Sequence, residues 1–327
     1  MRRREFITVF GGAAATWPFT LQARQMARPV VGLLGADSPD QYADRLQAFR
    51  EGLKELGFRE GENLTIEYRW AAGRNNELPA LAAELARLNV SAIVALGSTP
   101  AALAAKAATT TIPVIFLVGA DPIRLGLVPS LSRPGGNLTG VTTLNEELVS
   151  KRVELLHEAI PTTTSIALLV NRTSPSLAEA AINDAGTAIR RYGLTLNVLQ
   201  ASTERDFDTV FATLTQPQAG ALVITTDAFF ISRGEQLGAL ALRHSVPAIF
   251  QYRPFVAAGG LMSYGTPIET YSLAGIYTGR ILKGEKPDGL PVQQVSKIEL
   301  IINTKSAKTL GITFPVSLLG RADEVIE

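Results

Sequence analysis

The sequence predicts an α/β protein of two lobes, each a doubly wound parallel sheet with helices on both faces, joined by a multi-crossover hinge. Two observations lead to this prediction. Short apolar runs alternate with amphipathic helical stretches along the chain, an order typical of mostly parallel sheets. The alternation restarts at Ser165, and 327 residues are enough for two domains.

The elements of the first lobe can be assigned in order. A buried strand at Pro29 to Gly35 leads into a helix whose apolar side chains recur at helical spacing, and Gly57 ends that helix. The alternating segment NLTIEYRW is typical of a strand near a sheet edge, and a second helix follows it. Two further buried strands, SAIVALG and IPVIFLVG, are separated by a helix in PAALAAKAA.

The second lobe repeats this order. The runs SIALLV, LTLNVLQ, ALVITT and VPAIF predict strands with helices between them. The two halves join around NLTGVTT (137–143), and a second crossing is expected at GGLMSYGTP (259–267). The predicted organisation is an export signal at 1–27, lobe 1 at 28–141 plus 265–290, and lobe 2 at 142–264 plus 291–327.

The first 27 residues predict an export signal. Three arginines at positions 2–4 precede the mostly apolar segment 6–15, which is about half the roughly 20 residues of a membrane-spanning helix. The letters RREFI resemble a twin-arginine export motif, and Ala23 and Ala27 are candidate cleavage positions. We therefore expect a periplasmic protein; a basic, frayed tail of a cytosolic protein is the alternative.

Composition excludes several kinds of site. The chain has no cysteine, which excludes disulfides, thiol nucleophiles and a cysteine-linked lipid anchor. Its two histidines, His157 and His244, leave a multi-histidine metal site barely possible, and no cofactor is expected. The formal net charge is +1 and no basic stripe is present, so nucleic acid is not expected as a partner.

Ser/Thr-Pro helix starts follow one strand in each lobe. Ligands of open parallel sheets lie outside the carboxyl ends of the strands, where helix N-termini offer N–H groups to a carboxylate. Simple helix capping is the alternative, but the same arrangement in both halves favours a ligand site. The residues concerned are Ser98 and Thr99 in the first lobe, and Asn171, Thr173, Ser174 and Ser176 in the second.

Two aspartates and two tyrosines also follow strands. Asp121 follows VIFLVGA and Asp227 follows ALVITT, so either could receive an ammonium or hydroxyl group, unless it only caps a turn or helix. Tyr252 and Tyr264 lie at the ends of later strands and could stack on a ligand, although ordinary core or rim positions are equally consistent with the sequence.

Catalytic motifs are absent from the sequence. It contains no G-x-S-x-G, no H-E-x-x-H and no glycine-rich dinucleotide fingerprint. An exported α/β hydrolase is therefore disfavoured, and we do not expect an enzyme.

Four segments carry a resemblance to a known family. They are FREGLKELGFREGENLTIEYRWAAG, STPAALAAKAATTTIPVIF, GADPIRLGLVPSLSRPGGNLTGVT and LKGEKPDGLPV. They resemble the ABC transporter substrate-binding protein family that includes tryptophan- and tyrosine-binding members. The similarity extends from about Val30 to the C-terminus, and its most specific part is the block D-P…G-L-V…P-G-G-N-x-T-G.

The resemblance implies a type I periplasmic binding protein fold, with three hinge crossovers and a ligand held between the lobes. One position departs from the family pattern: amino-acid-binding relatives often carry an acidic residue in the turn after the Asn, where this chain has Ser174. That departure counts against an α-amino acid and leaves aromatic or other small carboxylates open. The cleft positions correspond here to Ser98, Thr99, Asp121, Asn171, the turn from Thr173 to Ser176, Thr226 and Asp227.

The expected function is that of a monomeric periplasmic solute-binding protein. It would deliver a small organic solute, an amino acid or an aromatic or other small carboxylate, to a membrane ABC permease by hinge closure around the ligand. The main alternative is a periplasmic sensing module that presents its ligand to a membrane receptor. A sugar-responsive repressor shares the two-lobe fold, but no helix-turn-helix precedes Val30.

Overall fold

The computed structural model describes residues 28–214 and 220–327. The predicted export signal at 1–27 lies outside the described residues. The strands are β1 (Val30–Gly35), β2 (Thr65–Trp70), β3 (Ala92–Leu96), β4 (Val114–Val118), β5 (Leu138–Thr142), β6 (Ser165–Val170), β7 (Thr195–Gln200), β8 (Ala221–Ile224), β9 (Ala248–Phe250), β10 (Met262–Gly265), β11 (Gln293–Gln294), β12 (Glu299–Asn303) and β13 (Glu324–Ile326).

Helices separate most of these strands, as the alternation in the sequence predicts. None of the described helices is long and apolar enough to cross a membrane. The helices are α1 (Ala43–Glu55), α2 (Leu78–Arg87), α3 (Thr99–Ala108), α4 (Val149–Ala159), α5 (Pro175–Tyr192), α6 (Arg205–Leu214), α7 (Ala228–Ile231), α8 (Gly234–Arg243), α9 (Arg253–Ala257), α10 (Tyr271–Leu282), α11 (Thr304–Thr309) and α12 (Val316–Leu319).

The strands form two sheets, so the predicted two-lobe α/β fold is confirmed. The first sheet has the order β11-β5-β4-β3-β1-β2, and the second has the order β13-β12-β10-β9-β8-β6-β7. Neighbouring strands in the described parts of both sheets run parallel, except that β10 and β12 are antiparallel. Within each lobe the first strand lies between the second and the third, which creates a topological switch point at β1/β3 and at β6/β8.

Each sheet has an apolar core on both faces. In β1, Leu33 faces one cluster with α1 and α10, and Leu34 faces another with α2 and α3. In β6, Leu168 packs towards α4 and α5, and Leu169 packs towards α6 to α8. Because parallel strands buried on both faces are apolar throughout, this packing explains the continuous apolar runs in the sequence.

Three crossovers connect the sheets. The chain leaves the first sheet after β5, returns from β10 to α10, and leaves again between β11 and β12. The segment around 137–143, which the sequence suggested as a joint, is mostly the buried strand β5. The predicted lobe limits differ slightly from the strand pairing, since Gln293 and Gln294 pair with β5 in the first sheet and Gly265 pairs with Glu299 in the second.

Close helix packing fixes the second crossover to the first lobe. A Cβ on Gly52 of α1 would lie 1.9 Å from the carbonyl oxygen of Ser272, and one on Gly275 would lie 2.1 Å from that of Phe49. The two glycines therefore let α1 and α10 approach at backbone contact. This contact positions Tyr271, the first residue of α10, at the cleft between the lobes.

Candidate ligand-binding cavity

A cavity lies between the lobes, at the switch points of both sheets. It encloses about 640 Å³ of space, part of it open to solvent. The first lobe contributes residues that follow β1 and β3, including Asp37, Ser98 and Thr99. The second lobe contributes residues that follow β6 and β8, including Asn171 and Asp227. Both sheets thus present their ligand-binding edges to one shared space between the lobes.

The start of α3 forms one wall of the cavity. The Ser98 Oγ accepts a hydrogen bond of 3.2 Å from the backbone N–H of Ala101, so Ser98 is the N-cap that the sequence allowed as the simpler interpretation. Pro100 has no backbone N–H, and the Thr99 hydroxyl donates to the Glu146 carboxyl group at 3.2 Å. Because the N–H groups of Ala101 and Ala102 both donate to Ser98, this helix start offers a ligand anion little more than the positive end of the helix dipole.

Asn171 and Asp227 form a buried pair in the second lobe. The Asn171 Nδ2 donates to Asp227 Oδ1 at 2.8 Å, and the Phe229 backbone N–H donates to the same oxygen at 2.9 Å. Asp227 is 6% exposed, and burial raises the pKa of its carboxyl group, while the bonds from Asn171, Phe229 and Ser174 oppose that rise. A buried carboxylate in a cavity wall is a strong acceptor for a charged donor.

Glu146 adds a second carboxyl group to the cavity wall. It lies in a short 3-10 helix, Asn145–Leu148, on the first crossover, and burial raises its pKa to about 8. Asp227 and Glu147 act in the same direction, because like charges disfavour ionisation. No role for Glu146 could be predicted from the sequence, because it lies on a crossover and not at the carboxyl end of a strand.

Asp37 is held differently from the other two acids. The Arg233 guanidinium forms an ion pair with Asp37, and the Ser232 hydroxyl donates to Asp37 Oδ2 at 2.6 Å. Asp37 follows β1, and Arg233 lies between α7 and α8 of the other lobe. Both side chains are largely buried, at 5% and 13% exposed. The pair therefore closes one side of the cleft, so the lobes are in contact.

The charged groups in the lining are all acidic. Among the described residues that line the cavity are Asp37, Glu146 and Asp227, but no lysine, arginine or histidine. Arg152 is a buried cation behind the wall, and it donates to the Thr226 hydroxyl at 3.2 Å and to the Tyr264 carbonyl at 2.9 Å. Burial lowers the pKa of Arg152 to about 10, so it stays charged at neutral pH.

Aromatic side chains complete the lining. Tyr252 and Tyr271 pack in one cluster and lie in the wall with Phe229 and Ile231. Tyr252 belongs to the second lobe and Tyr271 begins the helix of the first, so their contact also spans the cleft. These side chains offer an apolar surface to the part of a ligand that is not charged.

The predicted site residues are only partly brought together. Asp121 lies outside the lining and accepts from the Ile123 N–H at 2.8 Å, as a turn cap does. Tyr264 packs in the core of the second sheet, and Thr173 and Ser176 are exposed. Ser174 is buried behind the wall, where its Oγ accepts from Asn75 at 3.4 Å and it bonds to Asp227. The predicted residues that do line the cavity are Ser98, Thr99, Asn171, Thr226, Asp227 and Tyr252.

Other lining residues had no place in the sequence prediction. Asp37 could have been found, because it follows a buried strand as Asp121 and Asp227 do. Asn75, Asn145, Glu146 and Tyr271 lie on connections or helix starts that face the cleft only once the two lobes have packed together. No group of three or more His, Asp or Glu side chains that could hold a metal ion occurs in 28–214 or 220–327.

Residues 32–326 match the family described as ABC transporter substrate binding protein. The chain belongs to this family. Its members are substrate-binding proteins rather than enzymes, and they are typically extracytoplasmic.

Individual relatives agree with this assignment. The chain is 26% identical over 267 residues to a tyrosine-binding protein of Clostridioides difficile, covering 81% of this chain and 76% of that protein. It superposes with a TM-score of 0.81 on a conserved domain protein of Vibrio cholerae, at 27% identity over 91% of this chain and all of the other. The TM-score is 0.80 for an ABC domain from Streptococcus pneumoniae in complex with L-Trp, at 25% identity over 92% of this chain and all of the other.

Proposed function

We propose that the protein holds an aromatic amino acid between its lobes outside the cytoplasm and delivers it to an ABC permease. The observation that carries the proposal is the cavity at the two switch points, whose wall contains the buried Asp227 and no basic side chain among the described residues. Such a wall binds a cationic group such as an ammonium. The tyrosine-binding relative and the L-Trp complex support an aromatic amino acid.

The proposed pose divides the ligand between two parts of the wall. Its ammonium group donates to the Asp227 carboxylate. Its ring packs against Tyr252, Tyr271 and Phe229. The turn after Asn171 has Ser174 where amino-acid-binding relatives often carry an acidic residue. Glu146 supplies an acidic group to the cavity from another part of the chain, so Ser174 no longer counts against an amino acid as the ligand.

Hinge closure is the proposed means of capture. The pair of Asp37 and Arg233 and the contact of Asn75 with Ser174 both join the two lobes. Since these contacts form only when the lobes meet, a ligand that bridges the lobes shifts the population toward the closed form. Export by the N-terminal segment 1–27 would place this cycle in the periplasm, where the closed protein meets the permease.

A thermal-shift screen tests the proposal. The purified protein is heated with L-tyrosine, L-tryptophan, L-leucine, phenylacetate and D-arabinose. A ligand at 100 times its dissociation constant adds about 2.7 kcal/mol to the free energy of unfolding, which raises the melting temperature by several degrees. We expect this rise with L-tyrosine or L-tryptophan and none with the sugar. A rise with the sugar alone, or with none of the five compounds, would contradict the proposal.

A further inference from the structure

Two carboxyl groups from different parts of the fold line the same cavity. Asp227 comes from the second lobe after β8, and Glu146 comes from the first crossover. A Cβ on Gly119 would lie 3.3 Å from Glu146 Cγ and 3.2 Å from Cγ2 of Thr226, the residue before Asp227. Glu146 and Thr226 therefore both lie beside Gly119, which makes the crossover and the start of the Asp227 turn neighbours in space.

The hydrogen bonds around Glu146 leave it incompletely satisfied. Among the described residues, the Thr99 hydroxyl is the group that donates to this carboxyl, at 3.2 Å on Oε1. Asp227, by contrast, receives an amide and a backbone N–H on one oxygen. Glu146 is partly exposed and lines the cavity, so its carboxyl group has the capacity to accept from a donor supplied by the ligand.

The surrounding charges decide which ligand group can meet Glu146. The groups nearest to it are acidic, Asp227 and Glu147, and Asp37 of the opposite wall is neutralised by Arg233. Arg152 is directed to Thr226 and the Tyr264 carbonyl rather than into the cavity. A ligand carboxylate beside Glu146 would be repelled by the Asp227 carboxylate, whereas a ligand cation would be attracted by Asp227 and would favour the ionised form of Glu146.

We propose that Glu146 is a specificity-determining residue: with Asp227 it receives the ligand's ammonium group, and the ligand displaces a proton from Glu146 on binding. This inference rests on the proposed function. In the ligand-free protein Glu146 is protonated at neutral pH, because burial raises its pKa to about 8. The ammonium favours the charged carboxylate, so binding releases the proton.

The sign of the pH dependence follows from this exchange. The free protein holds the proton and the complex does not, so affinity rises with pH as long as the free protein is protonated. The rise approaches about tenfold per pH unit and levels off above about pH 8, the pKa of Glu146 in the free protein. A neutral Glu146 that donated its proton to a ligand carboxylate would give the opposite behaviour, since the complex would keep the proton.

Titration calorimetry of the whole protein with L-tyrosine or L-tryptophan measures this proton directly. Titrations at pH 7 in buffers of different ionisation enthalpy are expected to show release of about one proton per ligand bound. Glu146→Gln is expected to abolish the release and to weaken binding at least tenfold. Glu147→Gln is the matched control, because that neighbouring carboxyl group lies outside the lining, exposed and 3.8 Å from Arg124; it should keep the release.

The outcomes separate this inference from the proposed function. Amino acid binding without proton release, or with release that persists in Glu146→Gln, would overturn the inference and leave the proposed function standing. Absence of binding by either amino acid would instead overturn the proposed function. Because Gln retains the shape of Glu and relieves the buried acid, we expect the variant to fold, and its ligand-free melting curve checks this.

Discussion

Replacement of Asp227 by Asn is expected to weaken the binding of L-tyrosine or L-tryptophan about 100-fold. The Asn side chain keeps an oxygen that can accept from Asn171 and from the Phe229 N–H, so the local structure is retained. The ammonium loses its charged partner, and loss of one member of a buried charged hydrogen bond costs about 2–5 kcal/mol of binding free energy. Calorimetric titration of the two proteins gives the ratio of their dissociation constants.

Asp121→Asn is the matched control for this substitution. Asp121 also follows a buried strand and also caps the following turn, but it lies outside the cavity lining. Its variant should bind with the affinity of the original protein. If Asp227→Asn bound equally well, Asp227 would be removed from the site. The melting temperature of ligand-free Asp227→Asn should not fall, because the substitution relieves the burial of a carboxylate.

Replacement of Arg233 by Gln is expected to accelerate ligand release about 10- to 100-fold, with a much smaller change in the association rate. The Arg233–Asp37 pair joins the lobes and is largely buried. Removing one partner leaves Asp37 buried without its cation in the closed form, whereas opening the cleft lets Asp37 reach water. The variant therefore disfavours the closed form, and affinity changes in related complexes occur mainly in the dissociation rate. Stopped-flow displacement of the bound amino acid measures that rate.

Arg253→Gln tests whether the effect belongs to the cleft. Arg253 forms a bidentate ion pair with Glu324, but both residues are exposed and both belong to the second lobe. Exposed ion pairs contribute little, and this one does not change when the cleft opens, so ligand release should keep its rate. Equal release rates in Arg233→Gln and in the unsubstituted protein would show that the Asp37–Arg233 contact does not hold the lobes closed.

The fold could be predicted from the sequence because its signals are local. Buried parallel strands such as β3 and β4 are uninterrupted apolar runs, and helix starts such as Ser98 carry capping residues. The short strand β11 was missed: Gln293 and Gln294 are exposed, polar and only two residues long. Nothing in their composition shows that they extend the first sheet, since their pairing depends on where the returning chain meets β5.

The sequence predicts the site only for residues that come just after the carboxyl end of a parallel strand. Thr226 and Asp227 follow the end of β8 after one intervening residue, and Asn171 comes directly after β6, so the topology alone brings them to the cleft. Asp121 obeys the same rule but comes after β4, away from the switch point, and caps a turn instead. Glu146 reaches the cavity because the crossover bends between the lobes, a relation between distant parts of the chain that no local pattern encodes.

The most direct test of the central claim compares two ligands that differ by one group. The protein is titrated with L-tyrosine and with 3-(4-hydroxyphenyl)propionate, which keeps the ring and the carboxylate but lacks the amino group. The account predicts binding of one L-tyrosine per chain and an affinity at least about 100-fold lower for the analogue, because Asp227 and Glu146 would face no cation. Equal or tighter binding of the analogue would contradict it, since the cavity would then recognise a carboxylate rather than an ammonium group.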